Sequence, residues 1–521
     1  MRRGIRIVLA GLLSAAPMAA VPPPSPEWAS KVDAIFAPLA DGKSPGCAVA
    51  VIQDGAIAYE KGYGLASLEF GVPIAPDTIF DIGSVSKQFT AATVIRLAQD
   101  GKLSLDDDVR QWIPELPPYR PTVTIRHLFH HTSGIRDYTD LMSLAGARVP
   151  DRTTKDEALE MIVRQKGVDF PAGLRESYSN SGYFLLSVIV ERAAGKGLAE
   201  VSREKLFAPL GMNDTQFLDD SRRIVPRKAT GYGPKEGGGF RLAGSNWEQI
   251  GDGSLLTTVR DLAKWVRNFE EPKVGGPAFV TAMEEVGMLA DGSRLEYASG
   301  LRVDTWRGLR RVSHSGAWAG YRAALVRFPT EKTAFAATCN RLDAAPSALL
   351  ARAAEIVLAG RLARAPDPPP ARKGPFPVSE AEAGRLQGLY VEPSTLEVRR
   401  VERKDGGLVF RRGESVMPLR PNGTETYGLA FGETELAVRF SAAGAPATTM
   451  RLREGGRDNE YYRTDAWSPA PGTQELSGFV GEFDSEEIGA IFRVALEGDR
   501  LMLHRRGADP TPLTPLFRDA F

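Results

Sequence analysis

The sequence predicts an α/β chain of the α+β type, in which a domain with an antiparallel sheet and a helical region precedes all-β units. Strand patterns stand at both ends of residues 28–360, and helical patterns lie between them. After residue 378 short strands alternate with Gly and charged turns, which is typical of all-β structure. Hydrophobic residues make up 43% of the 521 residues, which is enough to bury cores and excludes a disordered chain.

The elements of the first domain follow one another in a clear order. Residues after Pro45 alternate in polarity and turn at Asp54-Gly55, which predicts a β-hairpin. Helical periodicity then dominates from about residue 84 to about residue 270, after which strands return. The predicted helices are 84–100, 155–166, 181–194 and 346–360, and the predicted later strands are 308–312, 321–328 and 333–340.

A Pro-rich run separates this domain from the tail. The run PDPPPARKGPFP makes residues 361–378 a stiff linker, because proline does not continue a helix. Residues 379–467 are predicted to form a barrel-like domain and residues 474–521 a second β unit. The second unit repeats the sequence of the first, and the match of GLY at 388–390 with GEF at 481–483 marks the start of the repeat. The second copy stops before the first does, so we expect an incomplete unit or a cut chain.

The N-terminus carries an export pattern. Arg2, Arg3 and Arg6 precede a short apolar run, and small residues follow it up to Ala20. This order is typical of a secretory signal peptide over residues 1–20, and the apolar run is too short to span a membrane. We therefore expect a periplasmic or secreted protein with no integral membrane segment after signal cleavage.

Composition excludes several classes of partner. Lys plus Arg and Asp plus Glu both number 65, so the chain lacks the basic excess that nucleic acid binding requires. His127, His130 and His131 share a helical spacing, but no acidic ligand accompanies them, so we expect no metal. No cofactor is expected either, and the predicted partner is a small-molecule or peptide substrate. The sequence leaves the oligomeric state open.

Ser84-Val85-Ser86-Lys87 stands where a strand-like segment meets a helix. Residues three apart share one helical face, so Ser84 and Lys87 lie within reach of each other. The helix is apolar nearly all round, and burial disfavours a charged lysine, which can then take the proton of a serine hydroxyl. The alternative is that Ser84 only caps the helix, and Ser202 and Lys205 show the same spacing.

Two further motifs accompany Ser84. Tyr178-Ser179-Asn180 precedes an apolar helix, and His314-Ser315-Gly316 follows a strand. Together the three motifs resemble those of the class C β-lactamase-like, penicillin-binding serine hydrolases of peptidase family S12, over roughly residues 28–360. The resemblance implies a β-lactamase/transpeptidase-like fold for this domain, and we expect lipocalin-like barrel structure in the tail.

The resemblance also implies acyl transfer through a covalent enzyme. Lys87, assisted by Tyr178, deprotonates Ser84, whose oxygen attacks an amide or ester carbonyl. The backbone N–H groups of Ser84 and Ala317 form the oxyanion hole. Asn180 orients the substrate amide, and water then hydrolyses the acyl-enzyme.

The third motif departs from the family's frequent Lys-Thr-Gly. Here His314, Ser315 and Gly316 complete the substrate-binding strand edge, and Tyr178 or His314 passes the proton to the leaving group. A histidine with an ordinary pKa of about 6.5 is largely neutral at pH 7 and offers no permanent cation to a carboxylate. We therefore expect weak selection for a free carboxylate and an activity that depends on pH near neutrality through His314.

The substrate is inferred from architecture. A catalytic domain with two β units resembles the D-aminopeptidases, in which a tail domain shapes the pocket entrance. The first interpretation is a peptidase or amidase acting next to D-amino acids, like a D-aminopeptidase or a DD-carboxypeptidase. The alternatives are a carboxylesterase or weak β-lactamase of the same fold, and a non-catalytic penicillin-binding sensor.

The two cysteines also acquire an expected position from the resemblance. In such a sheet the first and last strands are antiparallel neighbours, so Cys47 and Cys339 face each other across them. Export would place both thiols where a disulfide can close. The alternative is two separate cysteines packed as small apolar groups.

Overall fold

The computed structural model describes residues 26–363, 376–517 and 520–521, apart from short stretches. These are 394–395, 414, 423–424, 432–433, 442–445, 455–456 and 465–469. The signal peptide predicted over 1–20 and most of the linker predicted over 361–378 lie outside the described residues. None of the described helices is both long enough and apolar enough to cross a membrane.

A six-stranded antiparallel sheet forms the centre of the first domain. Its strands are, in spatial order, Arg302–Trp306, Leu309–Trp318, Tyr321–Phe328, Thr333–Cys339, Cys47–Gln53 and Ala56–Tyr63. The predicted hairpin is confirmed, and both of its turn residues, Asp54 and Gly55, have positive φ, as a two-residue turn between twisted strands requires.

Helices cover both faces of this sheet. Ala29–Phe36 and Pro346–Val357 pack on one face over a core that includes Phe328 and Phe335. The other face bears the helical region between the two groups of strands. Its helices are Lys87–Gln99, Val109–Trp112, Ile125–Phe129, Tyr138–Leu144, Lys155–Val163, Asn180–Ala194, Leu198–Ser202, Ala208–Leu210, Val259–Glu270 and Gly276–Glu284, with a π turn at Arg203–Phe207.

Short strands form small sheets separate from the central one. They are Leu65–Ser67, Val72–Pro73, Phe80–Asp81, Arg152–Thr153, Gln216–Phe217, Tyr232–Pro234, Phe240–Leu242, Asn246–Trp247 and Leu255–Thr257. The strand Phe80–Asp81 pairs with Leu255–Thr257. This pairing matters most for the site, because the chain passes from Asp81 directly into the turn that carries Ser84. Backbone pairing thus fixes the start of that turn.

Two predicted boundaries are wrong near the site. The helix predicted to begin at Ser84 begins at Lys87, after a 3-10 turn over Gly83–Ser86. The strand predicted to end at Val312 continues to Trp318, because its neighbour Tyr321–Phe328 pairs with it along that whole length. Long-range pairing, which local periodicity does not reveal, extends the strand through the His314 motif.

Cys47 and Cys339 are joined by a disulfide. They are register partners in neighbouring strands, with Cα atoms 4.0 Å apart, and both side chains are fully buried. The sequence left open a disulfide or two separate buried cysteines, and the structure contains the disulfide. The bond links residues separated by 292 positions, at the two ends of the domain.

The tail begins with a helix and a closed antiparallel barrel. The helix Glu380–Leu386 packs its Leu386 into the barrel core, next to Tyr390 and Phe410. The eight barrel strands are Gly388–Val391, Val398–Lys404, Gly407–Arg412, Ser415–Pro421, Thr426–Phe431, Thr434–Phe440, Thr449–Glu454 and Arg457–Thr464. Pairing of the last strand with the first closes the barrel.

A four-stranded sheet follows the barrel. Its strands are Gly481–Ser485, Ala490–Glu497, Arg500–His504 and Thr511–Leu513, after a short helix at Thr473–Leu476. In chain order they occupy positions like those of the first four barrel strands. Leu476, Val494 and Leu501 form a small core between them.

Candidate active site

Ser84 and Lys87 face each other at the start of the central helix. Lys87 Nζ lies 3.2 Å from Ser84 Oγ and donates a hydrogen bond to it. The lysine side chain has no exposed surface, because the helix that it begins is buried through most of its length. The predicted proximity of the serine and the lysine is therefore confirmed, and Lys87 is shielded from solvent.

The second pair with the same spacing has a structural role. Ser202 is fully buried, and its hydroxyl shares a hydrogen bond of 2.9 Å with Thr93. Lys205 points away and forms an ion pair with Asp100. Spacing alone does not separate the two pairs, but burial and partners do.

Lys87 has two partners besides the serine. Its Nζ donates to Asn180 Oδ1 at 2.8 Å and to the backbone oxygen of Asp252 at 2.7 Å. All three contacts are to neutral oxygens. Asn180 occupies the first position of the helix Asn180–Ala194, and Asp137 accepts a hydrogen bond from its backbone N–H at 2.6 Å. The amide therefore has a fixed place beside the nucleophile.

Tyr178 covers the lysine from the open side. Its ring centroid lies 4.9 Å from Lys87 Nζ, and 46% of the residue is exposed. Within the described part of the chain its hydroxyl has no hydrogen-bond partner, so it is available to a substrate. The ring of His131 packs 4.2 Å from that of Tyr178, and His131 Nδ1 accepts a hydrogen bond from Ser179 N–H. His131 thus holds the loop that presents Tyr178.

The strand edge that carries the third motif packs directly on the turn of Ser84. A Cβ atom on Gly316 would lie 1.9 Å from the carbonyl oxygen of Ile82, and one on Gly83 would lie 2.7 Å from Ala317 N. Only glycine at both positions permits this approach. The contact brings the backbones of Ser84 and Ala317 together, which is the arrangement that an oxyanion hole requires. Ser315 and Ala317 are exposed along this edge.

His314 differs from its expected ionisation. Its Nδ1 lies 2.6 Å from the carbonyl oxygen of Ser315 and its Nε2 lies 2.8 Å from the hydroxyl of Tyr297, which suits a neutral ring that donates at Nδ1 and accepts at Nε2. Burial, with the charge of Lys87, lowers the pKa of His314 to about 4. The expectation that His314 titrates near neutrality is therefore wrong, because its surroundings favour the uncharged ring.

Sequence reasoning missed Asp252. Its Oδ2 accepts a hydrogen bond of 3.0 Å from Tyr138, whereas its Oδ1 is buried and has no hydrogen-bond partner among the described residues. Burial raises the pKa of this carboxyl. The sequence signal available was a polar Gly-Asp-Gly-Ser turn just before the strand Leu255–Thr257, which resembles many ordinary turns.

Two pockets meet at Tyr178 and Ala317. The smaller has a volume of about 270 Å³, and its walls include Ser84, Asn180 and Asp252. We call it the Ser84 pocket. The larger has a volume of about 760 Å³ and contains His314. We call it the His314 pocket. No cluster of three or more potential metal ligands occurs in the described parts of the chain.

Glu176 gives the His314 pocket a titratable carboxyl. Burial raises the pKa of Glu176 to about 7, so the folded state binds its proton at pH values where the unfolded state has released it. This carboxyl therefore makes the free energy of unfolding fall as pH rises from about 4.5 to about 7. We expect Glu176→Gln to lose less stability than the wild type between pH 5 and pH 7.5. Thermal unfolding of both proteins at the two pH values measures this, and equal losses would contradict it.

With the geometry in place, similarity to known proteins identifies the family. The family described as Beta-lactamase matches residues 32–359, more than half of the chain. The chain belongs to the beta-lactamase family. The resemblance seen in the motifs is thereby confirmed, and this beta-lactamase-family protein is a serine hydrolase.

Relatives of this beta-lactamase-family chain include two D-aminopeptidases. That of Gluconobacter oxydans is 28% identical over 446 residues, which cover 85% of this chain and 81% of the relative. That of Brucella anthropi is 29% identical over 280 residues, 54% of this chain, and the match spans about half of the relative, 53%. The crystal structure of SurE with D-Leu is 27% identical with a TM-score of 0.55, and it covers 84% of this chain and 99% of that chain.

Proposed function

We propose that this chain hydrolyses the bond that follows an N-terminal D-amino acid in a peptide or amide, through an acyl-enzyme on Ser84. The observation that carries the proposal is that the Ser84 pocket is lined both by a serine hydrogen-bonded to Lys87 and by Asp252, whose buried Oδ1 has no hydrogen-bond partner among the described residues. The names of the two D-aminopeptidase relatives, and the D-Leu of the SurE structure, support the D configuration.

Acylation uses groups already in contact. In this step two N–H groups of Lys87 donate to Asn180 Oδ1 and to the backbone oxygen of Asp252. The remaining lone pair of Nζ takes the proton of Ser84 Oγ across the 3.2 Å contact while Oγ bonds to the substrate carbonyl carbon. The negative charge that develops on the carbonyl oxygen is stabilised by the N–H groups of Ser84 and Ala317. Asn180 Oδ1 accepts from Lys87, and Asn180 Nδ2 donates to Thr139 Oγ1 at 3.5 Å, so the second N–H of Nδ2 remains to donate to the substrate amide.

Departure of the amine needs the proton that Lys87 has accepted. The proton passes from Lys87 to the leaving nitrogen by way of the Tyr178 hydroxyl as the C–N bond breaks. Tyr178 lines both pockets, whereas His314 lines only the larger one. We assign the leaving group to the His314 pocket and the acyl group to the Ser84 pocket. Water then attacks the ester carbonyl, and Ser84 regains its proton through the same path in reverse.

Asp252 supplies the feature that distinguishes an aminopeptidase from an esterase. An N-terminal residue held as the acyl group carries an ammonium next to its carbonyl. The Oδ1 atom of Asp252 is buried and lacks a hydrogen-bond partner among the described residues, and Asp252 lines the pocket in which that ammonium would lie. A charge-assisted hydrogen bond there would stabilise the carboxylate that burial disfavours.

Parallel kinetics test the proposed function. We expect kcat/KM for the p-nitroanilide of D-alanine to exceed that for the p-nitroanilide of L-alanine by at least about tenfold. p-Nitrophenyl acetate and nitrocefin, assayed with the same preparation, represent the carboxylesterase and β-lactamase alternatives. Faster turnover of either one than of the D-alanine amide would overturn the proposal. Stoichiometric acylation without turnover of any substrate would favour the sensor alternative.

Substitution of Asp252 tests the ammonium contact. Asp252→Asn keeps the shape of the side chain and the backbone oxygen that binds Lys87, but it removes the charge. We expect kcat/KM for D-alanine p-nitroanilide to fall by about tenfold or more, because a charge-assisted hydrogen bond is lost. The same substrate with an acetylated amine serves as the control and should not lose activity. An equal loss on both substrates would mean that Asp252 acts through Lys87 instead.

A further inference from the structure

The second β unit of the tail is anchored on the catalytic domain. Glu487, in the turn between its first two strands, accepts hydrogen bonds from Arg136 Nη1 at 3.1 Å and from the backbone N–H of Lys166 at 2.6 Å. Its neighbour Ile488 is 8% exposed and belongs to the main core of the catalytic domain. This turn therefore holds the unit in a fixed place.

A second turn of the same unit reaches the Ser84 side of the domain. Residues 505–508 follow the strand Arg500–His504 and contact the catalytic domain backbone to backbone. A Cβ atom on Gly146 would lie 2.4 Å from the carbonyl oxygen of Arg506, and one on Gly507 would lie 2.6 Å from that of Gly146. Glycine at both positions allows the two chain segments to touch.

This contact forms one wall of a pocket of about 320 Å³, which we call the arginine pocket. It shares Thr139, Trp247 and Trp318 with the Ser84 pocket, so the two are neighbours. Arg148, Arg505 and Arg506 also line it. It contains three arginines and no carboxylate.

The lining residues of the arginine pocket carry positive charge without a carboxylate among them. Asp151 forms an ion pair with Arg148 at 2.9 Å, and the charge of Arg506 also helps to lower the pKa of Asp151. Two of the three arginines thus share one carboxylate. The Nε atom of Arg505 is buried and has no hydrogen-bond partner among the described residues. A buried donor on a charged group is costly unless an acceptor reaches it, and a carboxylate is the acceptor that matches a guanidinium best.

We propose that the arginine pocket binds the side-chain carboxylate of the substrate's N-terminal residue, and that the substrates are therefore peptides that begin with an acidic D-amino acid. The inference rests on the proposed function, because the acyl residue must lie in the Ser84 pocket for its side chain to enter the neighbouring one. Trp247 and Trp318 line both pockets, and their ring centroids are 5.4 Å apart. The methylene groups of the substrate side chain would pack against these rings on the way to the arginine pocket.

A matched pair of substrates tests this inference. The α-p-nitroanilides of D-glutamate and D-glutamine have the same shape and differ in charge. We expect the full-length enzyme to have a kcat/KM about tenfold or more higher for the D-glutamate substrate. The double variant Arg505→Gln/Arg506→Gln should bring the ratio close to one, because the charge that distinguishes the two substrates is removed. Arg500→Gln, an exposed position in the preceding strand, is the control that should leave the ratio unchanged.

The outcomes separate this inference from the proposed function. A wild-type ratio near one, or a ratio that survives in the double variant, overturns the arginine pocket as a carboxylate site. Turnover of D-alanine p-nitroanilide without a preference for D-glutamate leaves the proposed function standing. Absence of turnover on every D-aminoacyl amide overturns both.

Discussion

Ser84→Ala is expected to lower kcat/KM by at least about a thousandfold on every substrate, because removal of a nucleophile eliminates the covalent path. The same substitution should abolish labelling by a fluorophosphonate or a reactive β-lactam. Ser84 lies in a turn at the pocket surface, and the loss of one hydroxyl there leaves the core intact. Circular dichroism of the variant should therefore match that of the wild type.

Ser202→Ala is the matched control for this experiment. It removes the other serine that stands three residues before a lysine, but that hydroxyl is buried against Thr93. We expect this variant to keep labelling and turnover, with at most a modest loss of stability. A label that maps to Ser202, or activity that survives in Ser84→Ala, would contradict the assignment of the nucleophile.

Loss of the Cys47–Cys339 bond is expected to destabilise the catalytic domain by about 5–6 kcal/mol on the chain-entropy model, because the loop that it closes is long. The double variant Cys47→Ala/Cys339→Ala removes the bond without leaving a free thiol. Urea unfolding followed by tryptophan fluorescence measures the loss. Reductant should destabilise the wild type in the same direction and leave the double variant unchanged.

Thiol counting provides the decisive check on this bond. Under denaturing, non-reducing conditions we expect no free thiol, and two free thiols would exclude the bond. A closed disulfide would also support the export that the N-terminal sequence predicts, because such bonds persist in oxidising compartments.

The sequence predicted those parts of the fold that depend on local patterns. The turn at Asp54-Gly55 needs two positive φ angles, and the helix Asn180–Ala194 needs an apolar run, and both are visible in the residues themselves. The end of the strand Leu309–Trp318 was missed because pairing with a neighbouring strand, and not its own pattern, determines its length.

The candidate site divides in the same way. Ser84 and Lys87 were recognisable because a three-residue spacing within one chain segment places them together. Asp252 reaches Lys87 across 165 residues, and Arg505 joins the pocket region from the tail, so no spacing reveals either contact. The ionisation of His314 was misjudged for the related reason that its pKa depends on burial, which only the folded chain determines.

Identification of the acyl-enzyme tests the central claim most directly. The enzyme is mixed with D-alanine p-nitroanilide, quenched with acid within the first turnovers, digested and analysed by mass spectrometry. We predict a D-alanyl group on the peptide that contains Ser84, with no such adduct in Ser84→Ala. A D-alanyl group on any other peptide, or turnover of this substrate by Ser84→Ala at the wild-type rate, would contradict the account.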